Sequence, residues 1–400
     1  MRVLLTNWAW PTHMHHLISL GWAFAANGHE VRVASQPALS DVIGTAGLTG
    51  VVLGKDVDLL SPEVRERAGM PVSQLPEPGS PPDYLRMWQT TTTRMEVLAE
   101  AMTSELVSFA KDWKPDLIIW DWMTFAGPIT GRLLGIPTAR LLYGPDMFVR
   151  LADAATAVEP DAVPKWLDSL YGRFGASVDT AARGWGETWC VDTSPASIQM
   201  PGIDGVPMRY VPYNGVSVAP AWTASPPSRR RVCVTMGTSS KRLRGRDSVS
   251  LPVLLEGLAD LDAEIVVAGT TAQALDVSEA ELPGNATFVE YLPLHALLPT
   301  CSAILHQGGI GSAMTSAHAG VPQVIAAAIA DQPFNAERFG SVGAAIPVAA
   351  TVGCELDVID AVHRVLEEPK YSVAAASVRD EILSRPTPSA VAEWLAAESS

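Results

Sequence analysis

The sequence predicts an α/β protein built of two doubly wound domains that face each other across a cleft. Three observations carry this. Short apolar runs alternate with helical stretches from the N-terminus, the alternation restarts near residue 231, and a stretch rich in Pro, Gly, Ser and Val separates the two series. Strand–helix alternation is the pattern of a parallel sheet covered by helices on both faces. A chain of 400 residues accommodates two such domains.

The first unit reads strand, loop, helix, strand. Arg2–Thr6 is short and apolar, Asn7–Thr12 is a loop containing Pro11, and His13–Asn27 carries Leu17, Leu20 and Phe24 at helical spacing. Gly28 ends this helix as a left-handed residue, and Glu30–Ala34 returns as a strand. The pattern recurs with strands at Pro115–Trp120 and Thr138–Leu142 around a helix at Ala126–Leu134. Residues 61–82 hold five prolines between Pro71 and Pro82 and read as an extended loop. A long helix follows from Asp83 to Asp112, and residues 150–190 read as helical and aromatic-rich. Pro201–Arg230 is the linker candidate.

Past the linker, strands are expected at Arg231–Met236, Ala263–Ala268, Thr287–Tyr291, Ser302–His306 and Gln323–Ala327. Helices are expected at Ser250–Leu261, Ser312–Ala319 and Asp357–Leu366, with a helical tail. The expected division is 1–212, a linker at 213–228, a second domain at 229–380 and a terminal helix within 381–400. Two Rossmann-like domains of this kind bind ligands beyond the carboxyl ends of their strands.

Composition removes several classes of function. The 43 acidic against 28 basic residues give a net charge of −15, which disfavours nucleic acid as a partner. Charged residues at 18% and hydrophobic ones at 48% argue against disorder. Apolar runs such as Val324–Ala330 fall far short of the ~20 residues that span a bilayer, and the N-terminus resembles a core strand, not a signal peptide. Cys190, Cys233, Cys301 and Cys354 are widely spaced, as suits free thiols in a reducing compartment. A cytoplasmic protein without a membrane partner is expected, and no metal-binding motif is present.

The sharpest chemical signal is His306-Gln307-Gly308-Gly309-Ile310-Gly311-Ser312, between a strand and a helix. Glycines let an anion approach the backbone while the N–H groups of the helix start point at it, which suits a diphosphate. Ser312 adds a hydroxyl donor and His306 an imidazole. The alternative is a tight turn whose glycines only permit packing. Gly237-Thr238-Ser239-Ser240 ends another strand and can donate to phosphate or sugar oxygens. It is flanked by Arg229–Arg231 and by Lys241, Arg242, Arg244 and Arg246, a run that reads first as a solvated loop. Asp331-Gln332 can bind vicinal hydroxyls, or Asp331 can simply cap a helix.

In the N-terminal half, His13 stands at the mouth of the first strand as a candidate general base, with His15 and His16 as competitors. Positions 13 and 16 share a helical face and 15 turns away. Asp121 ends a strand at the same mouth and can orient an imidazole, or cap the Trp122–Phe125 turn. Eleven of the twelve tryptophans lie at or before Trp222. Trp8, Trp10, Trp120 and Trp122, in or beside cleft-facing loops, suggest an apolar acceptor opposite an anionic donor.

These residues resemble bacterial natural-product glycosyltransferases of the GT-B fold, and within them the enzymes that attach deoxysugars to macrolides and aromatic polyketides, such as erythromycin desosaminyltransferase. The resemblance spans nearly the whole chain. It is carried by Trp22–Leu39, Trp113–Pro128, Leu141–Asp146, Met208–Gly215, Arg230–Ser240 and Leu292–Ser312, followed by Gly320-Val321-Pro322-Gln323 and Asp331-Gln332. It implies an inverting, metal-independent transfer from a dTDP-deoxysugar co-substrate to a polyketide or macrolide-type aglycone in antibiotic biosynthesis. His13 would be the base and Asp121 its orienting partner. The backbone at Tyr291 and Leu292 would hold the pyrimidine. Gly237, Thr238, Ser239, His306, Gln307, Gly308, Gly309, Ile310, Gly311 and Ser312 would surround the diphosphate, and Asp331 and Gln332 the sugar. Trp8, Trp10, Trp122 and Tyr143 would line the acceptor site. The family usually has His-His-Gly-Gly where this chain has His306-Gln307, which leaves open how those two positions share their role. The resemblance further implies a terminal helix that crosses back to the N-terminal domain. It also brings in a P450-like activator protein as a candidate partner, alongside a homodimer. The rivals are a nucleotide-sugar 2-epimerase of the same fold and a non-catalytic binder of nucleotide-sugar or aglycone. An NAD-dependent oxidoreductase is weakened by the lack of GxGxxG after the first strand.

Overall fold

The structure is a computed structural model that describes residues 1–69, 81–179, 184–237, 247, 249–270, 273 and 282–399. Seven strands form the first sheet: β1 (Arg2–Thr6), β2 (Glu30–Ser35), β3 (Thr49–Val52), β4 (Leu117–Asp121), β5 (Thr138–Leu142), β6 (Trp189–Asp192) and β7 (Val206–Pro207). Six form the second: β8 (Arg231–Thr235), β9 (Glu264–Gly269), β10 (Ala286–Glu290), β11 (Ala303–His306), β12 (Gln323–Ala327) and β13 (Ala345–Ala349). The orders are β3-β2-β1-β4-β5-β6-β7 and β10-β9-β8-β11-β12-β13. Every pairing is parallel.

Both sheets are doubly wound, and each reverses direction beside its first strand. The crevices therefore open between the ends of β1 and β4, and between β8 and β11. Thr6 pairs with Trp120, and Thr235 with His306, so the loops that follow these strands emerge side by side. β4, β5, β8 and β12 are buried at every residue, as central parallel strands covered on both faces must be.

Several elements differ from the sequence expectation. The first helix spans Pro11–Ala26, because Pro11 is preset for the first helical position and starts it two residues early. Within 61–82, expected as loop, Pro62–Arg67 is helical and capped by the Ser61 hydroxyl; residues 70–80 lie outside the described ones. β3, β6, β7 and β13 were not expected. β3 is a largely exposed edge strand with a glycine, and β13 is an apolar edge strand whose Pro347 argues against a strand in the sequence. The helix after the glycine loop begins at Ile310, bringing its first N–H groups closer to the loop than expected.

The last helix, Pro388–Glu398, packs against the first. Val391, Ala392 and Leu395 join the N-terminal core, and Ser389 and Asn27 exchange hydrogen bonds at 2.9 and 3.1 Å. The two sheets' domains also touch directly. Arg338 donates to the carbonyls of Ile198 and Gln199 at 2.8 and 2.7 Å, and Tyr210 meets Thr315 at 3.2 Å. At Gly144 a Cβ would lie 2.3 Å from Ile310 Cγ1, so only glycine admits this close approach.

Candidate active site

The N-terminal side of the cleft is built on the ends of β1, β4 and β5. Asp121 is fully buried, and its two oxygens divide their work. Oδ2 accepts from the Met123 amide at 3.1 Å and the Thr124 hydroxyl at 3.2 Å, which shapes the turn after β4. Oδ1 meets His13 Nδ1 at 2.8 Å and accepts from the Tyr143 hydroxyl at 3.1 Å. One oxygen thus serves the turn and the other contacts the imidazole and the phenol.

Three groups converge on His13 Nδ1: Asp121 Oδ1 at 2.8 Å, the Tyr143 hydroxyl at 2.7 Å and Trp8 Nε1 at 3.1 Å. That nitrogen carries one proton or one lone pair, so one contact dominates. The buried carboxylate provides the charge-assisted bond, which places the proton on Nδ1 and the lone pair on Nε2. Nε2 has no partner among the described residues, and the His13 side chain keeps 16% exposure to the cleft. Burial beside Asp121 holds the Tyr143 phenol well above its ordinary pKa, so it remains a neutral donor. Trp122 Nε1 donates to the same hydroxyl at 2.6 Å.

The aromatic residues expected to line the acceptor site fall into two groups. Trp10 and Trp122 are half-buried at the margin of the aromatic core, Trp8 and Tyr143 are buried and brace His13, and Trp120 is fully buried in that core. Trp8 stacks on Trp10, with centroids 5.1 Å apart at 13°. The role of Tyr143 beside the dyad escaped sequence reading. The available signal was its position directly after β5, the strand paired with β4, which puts it level with the loop after Asp121.

Across the cleft, His306 is completely enclosed. Its Nε2 bonds to Gln323 Oε1 at 2.8 Å and its Nδ1 accepts from the Gly308 amide at 3.0 Å. Burial lowers its pKa to about 4, so the ring is neutral. Both nitrogens of His306, expected beside the diphosphate, are taken up in holding the loop. Gln307 is buried beside Gly237 and Gly309, and its Oε1 has no hydrogen-bond partner among the described residues. Gly308 has φ +93°, and a Cβ there would lie 2.8 Å from Ile325 Cγ2. Gly309, Ile310, Gly311 and Ser312 are partly exposed, and the Ser312 hydroxyl has no partner among the described residues. Gly237 is described with φ +61°, while Thr238 and Ser239 lie outside the described residues, as do Lys241, Arg242, Arg244 and Arg246. Arg231 is buried and pairs with Glu264 at 3.0 Å, so it does not serve the cleft.

Tyr291 follows β10 in the left-handed region at φ +52°, donates its N–H to the Gly269 carbonyl at 3.0 Å and is 61% exposed, while the Leu292 side chain enters the core. Asp331 takes the N-cap position of the helix Gln332–Ser341 without making a capping bond. Its Oδ2 accepts from Asn335 Nδ2 at 2.8 Å, and the same amide donates to the Gly308 carbonyl at 2.9 Å. Burial raises the Asp331 carboxyl pKa, opposed by the Asn335 bond and by His13 across the cleft. Gln332 is buried, and its Oε1 accepts from the Ala328 and Ile329 amides at 3.0 and 3.1 Å. That oxygen organises the loop, so Asp331 is the better placed of the pair to meet a ligand. Among the described residues no group of three or more His, Cys, Asp or Glu side chains could hold a metal ion.

Facing Rossmann-like domains, with an oriented imidazole on one wall and a glycine-rich helix start on the other, define a glycosyltransferase of the GT-B class. The chain belongs to the family of erythromycin biosynthesis protein CIII-like proteins, whose N-terminal domain model matches residues 22–237 and whose C-terminal domain model matches residues 252–397. It is 39% identical to 10-deoxymethynolide desosaminyltransferase of Streptomyces venezuelae, over 98% of this chain and 95% of the relative. It is 38% identical to 3-alpha-mycarosylerythronolide B desosaminyl transferase of Saccharopolyspora erythraea, over 98% and 96%. Among solved structures, glycosyltransferase VinC in complex with dTDP superposes with a TM-score of 0.80 at 30% identity, covering 100% of this chain and 99% of that one. No described helix is long and apolar enough to cross a membrane.

Proposed function

We propose that the protein transfers a deoxysugar from a dTDP-sugar to a hydroxyl of a polyketide or macrolide-type aglycone, with inversion at the anomeric carbon. The observation that carries this reading is the His13–Asp121 pair opposite the Gly308–Ser312 helix start. The relatives named as desosaminyl transferases and the dTDP complex of VinC support the donor and acceptor classes. They give no support to the epimerase or the inert binder.

In this reading His13 Nε2 takes the proton of the acceptor hydroxyl while its oxygen attacks the anomeric carbon. The bond from that carbon to the diphosphate oxygen breaks, and the electron pair leaves with the diphosphate. Backbone N–H groups at the helix start and the Ser312 hydroxyl meet the departing charge, a task that needs preset donors and no cation. Asp331, joined to the glycine loop through Asn335, faces the sugar hydroxyls. Trp10 and Trp122 offer apolar surface to the aglycone.

The test is incubation with dTDP-deoxysugars and a panel of macrolactone and aromatic polyketide aglycones, with and without a P450-like activator, read by mass and by the anomeric configuration of the product. An inverted glycoside on one of these scaffolds is expected, with turnover unaffected by EDTA. Isomerised nucleotide-sugar in place of a glycoside would contradict the reading. Ser312→Ala is expected to weaken dTDP binding by roughly 0.5–1.5 kcal/mol, one hydrogen bond's worth. Equal affinity by calorimetry would move the diphosphate elsewhere.

A further inference from the structure

The first helix carries a second imidazole at the cleft that the dyad does not use. His16 follows His13 by three residues, which places both on one helical face about one turn apart. The rings nevertheless address different partners. His13 turns to Asp121, while His16 lies flat on the Tyr143 ring, with centroids 4.1 Å apart and planes within 6°. His15 turns away to Tyr213 and Gly215.

The stack fixes where the free edge of His16 points. Both Cε1 and Nε2 lie 3.9 Å from the position a Cβ would occupy on Gly311, in the first turn of the helix that opens the glycine loop. Neither ring nitrogen has a hydrogen-bond partner among the described residues, and the side chain retains partial exposure. Burial, with His13 and His15 nearby, keeps its pKa well below the ordinary histidine value. The ring is therefore neutral, with one N–H to donate.

We infer that His16 is a catalytic residue of the N-terminal domain that donates a hydrogen bond from Nε2 to the β-phosphate of the nucleoside diphosphate seated on the Gly308–Ser312 helix start. The inference rests on the diphosphate reading of that loop and adds a contact from the opposite wall. No proton is transferred in this contact. The acceptor proton goes to His13, the carbon–oxygen bond to the β-phosphate breaks, and His16 holds an oxygen of the group that leaves. In-line displacement needs the entering and departing oxygens on opposite sides of one carbon. Two imidazoles about 5 Å apart along one helix, aimed in different directions, can serve both ends. The domains are then coupled through the donor: the β-phosphate, present in the diphosphate and absent from the monophosphate, binds both walls at once.

The experiment is calorimetric titration of the full chain with dTDP and with thymidine monophosphate. It compares the unsubstituted protein with His16→Phe, which keeps an aromatic ring on Tyr143, His16→Ala, and His16→Gln, which keeps an N–H donor. His16→Phe and His16→Ala are expected to lose dTDP affinity by roughly 3- to 10-fold while monophosphate affinity is unchanged. His16→Gln is expected to hold the ratio of the two affinities near its original value. An unaltered ratio in both the Phe and Ala variants, whether each nucleotide weakens equally or neither does, would overturn the inference. Ser312→Ala run in parallel separates the two failures. A loss of dTDP binding there, with no change in the His16 series, leaves the diphosphate site standing and removes only His16 from it.

Discussion

Replacing His13 by Ala lowers turnover by about 10²–10⁴-fold, the usual worth of a general base, and leaves dTDP affinity nearly intact. The asymmetry follows from where the ring sits. His13 belongs to the N-terminal wall with Nδ1 held by Asp121, so the nitrogen open to the cleft is the lone pair on Nε2. Gly308–Ser312, which meet the diphosphate in this account, come from the other domain and make no hydrogen bond to His13. Single-turnover rates and dTDP titrations on the same variant check both halves. Unchanged turnover would contradict the base assignment. An equal fall in dTDP binding would show that the substitution had disturbed the donor site as well.

Asp121→Asn has a comparable effect on turnover, on the order of 10²–10⁴-fold, although the side chain is nearly the same size. The carboxylate is fully buried and serves four donors: His13 Nδ1, the Tyr143 hydroxyl, the Met123 amide and the Thr124 hydroxyl. An amide has one acceptor oxygen. If that oxygen stays with the turn, the NH₂ group faces Nδ1, which must then accept. The ring proton moves to Nε2 and the base loses its lone pair. If it faces His13 instead, the Met123 amide and Thr124 lose their acceptor, at a cost of about 1–3 kcal/mol in stability for an unsatisfied buried group. The expected signature is a fall in turnover with little change in acceptor KM, accompanied by either a normal or a modestly lowered melting temperature. Retention of more than a tenth of the original turnover would mean that Asp121 shapes the turn and does not set the imidazole tautomer.

The architecture was largely legible because both domains follow simple rules. β1, β4, β8, β11 and β12 are apolar runs bounded by loop residues, and parallel strands buried on both faces have no other way to appear in sequence. β3, β6, β7 and β13 escaped because they are short, lie toward the sheet edge or, in β13, carry a proline. The site was legible in its backbone and less so in its side chains. Glycines at a strand-to-helix junction are visible in the sequence, and Gly308 adopts the positive φ that such a junction needs. Which polar neighbour faces the cleft depends on tertiary partners that spacing does not encode. His306 is consumed by Gln323, seventeen residues away on β12, and Gln332 by amides behind it, whereas Asn335 and Tyr143 gain their positions from chain segments remote in sequence. The unpaired edge of His16 depends likewise on its stack with Tyr143, more than a hundred residues along the chain.

The measurement that bears most directly on the central claim is parallel calorimetric titration of the purified chain with dTDP, UDP and NAD. The account predicts tight dTDP binding, weaker UDP binding and none for NAD, with the dTDP site weakened by Ser312→Ala. Binding of NAD in place of dTDP, or no binding of either diphosphate, would contradict it and reduce the Gly308–Ser312 loop to a structural turn.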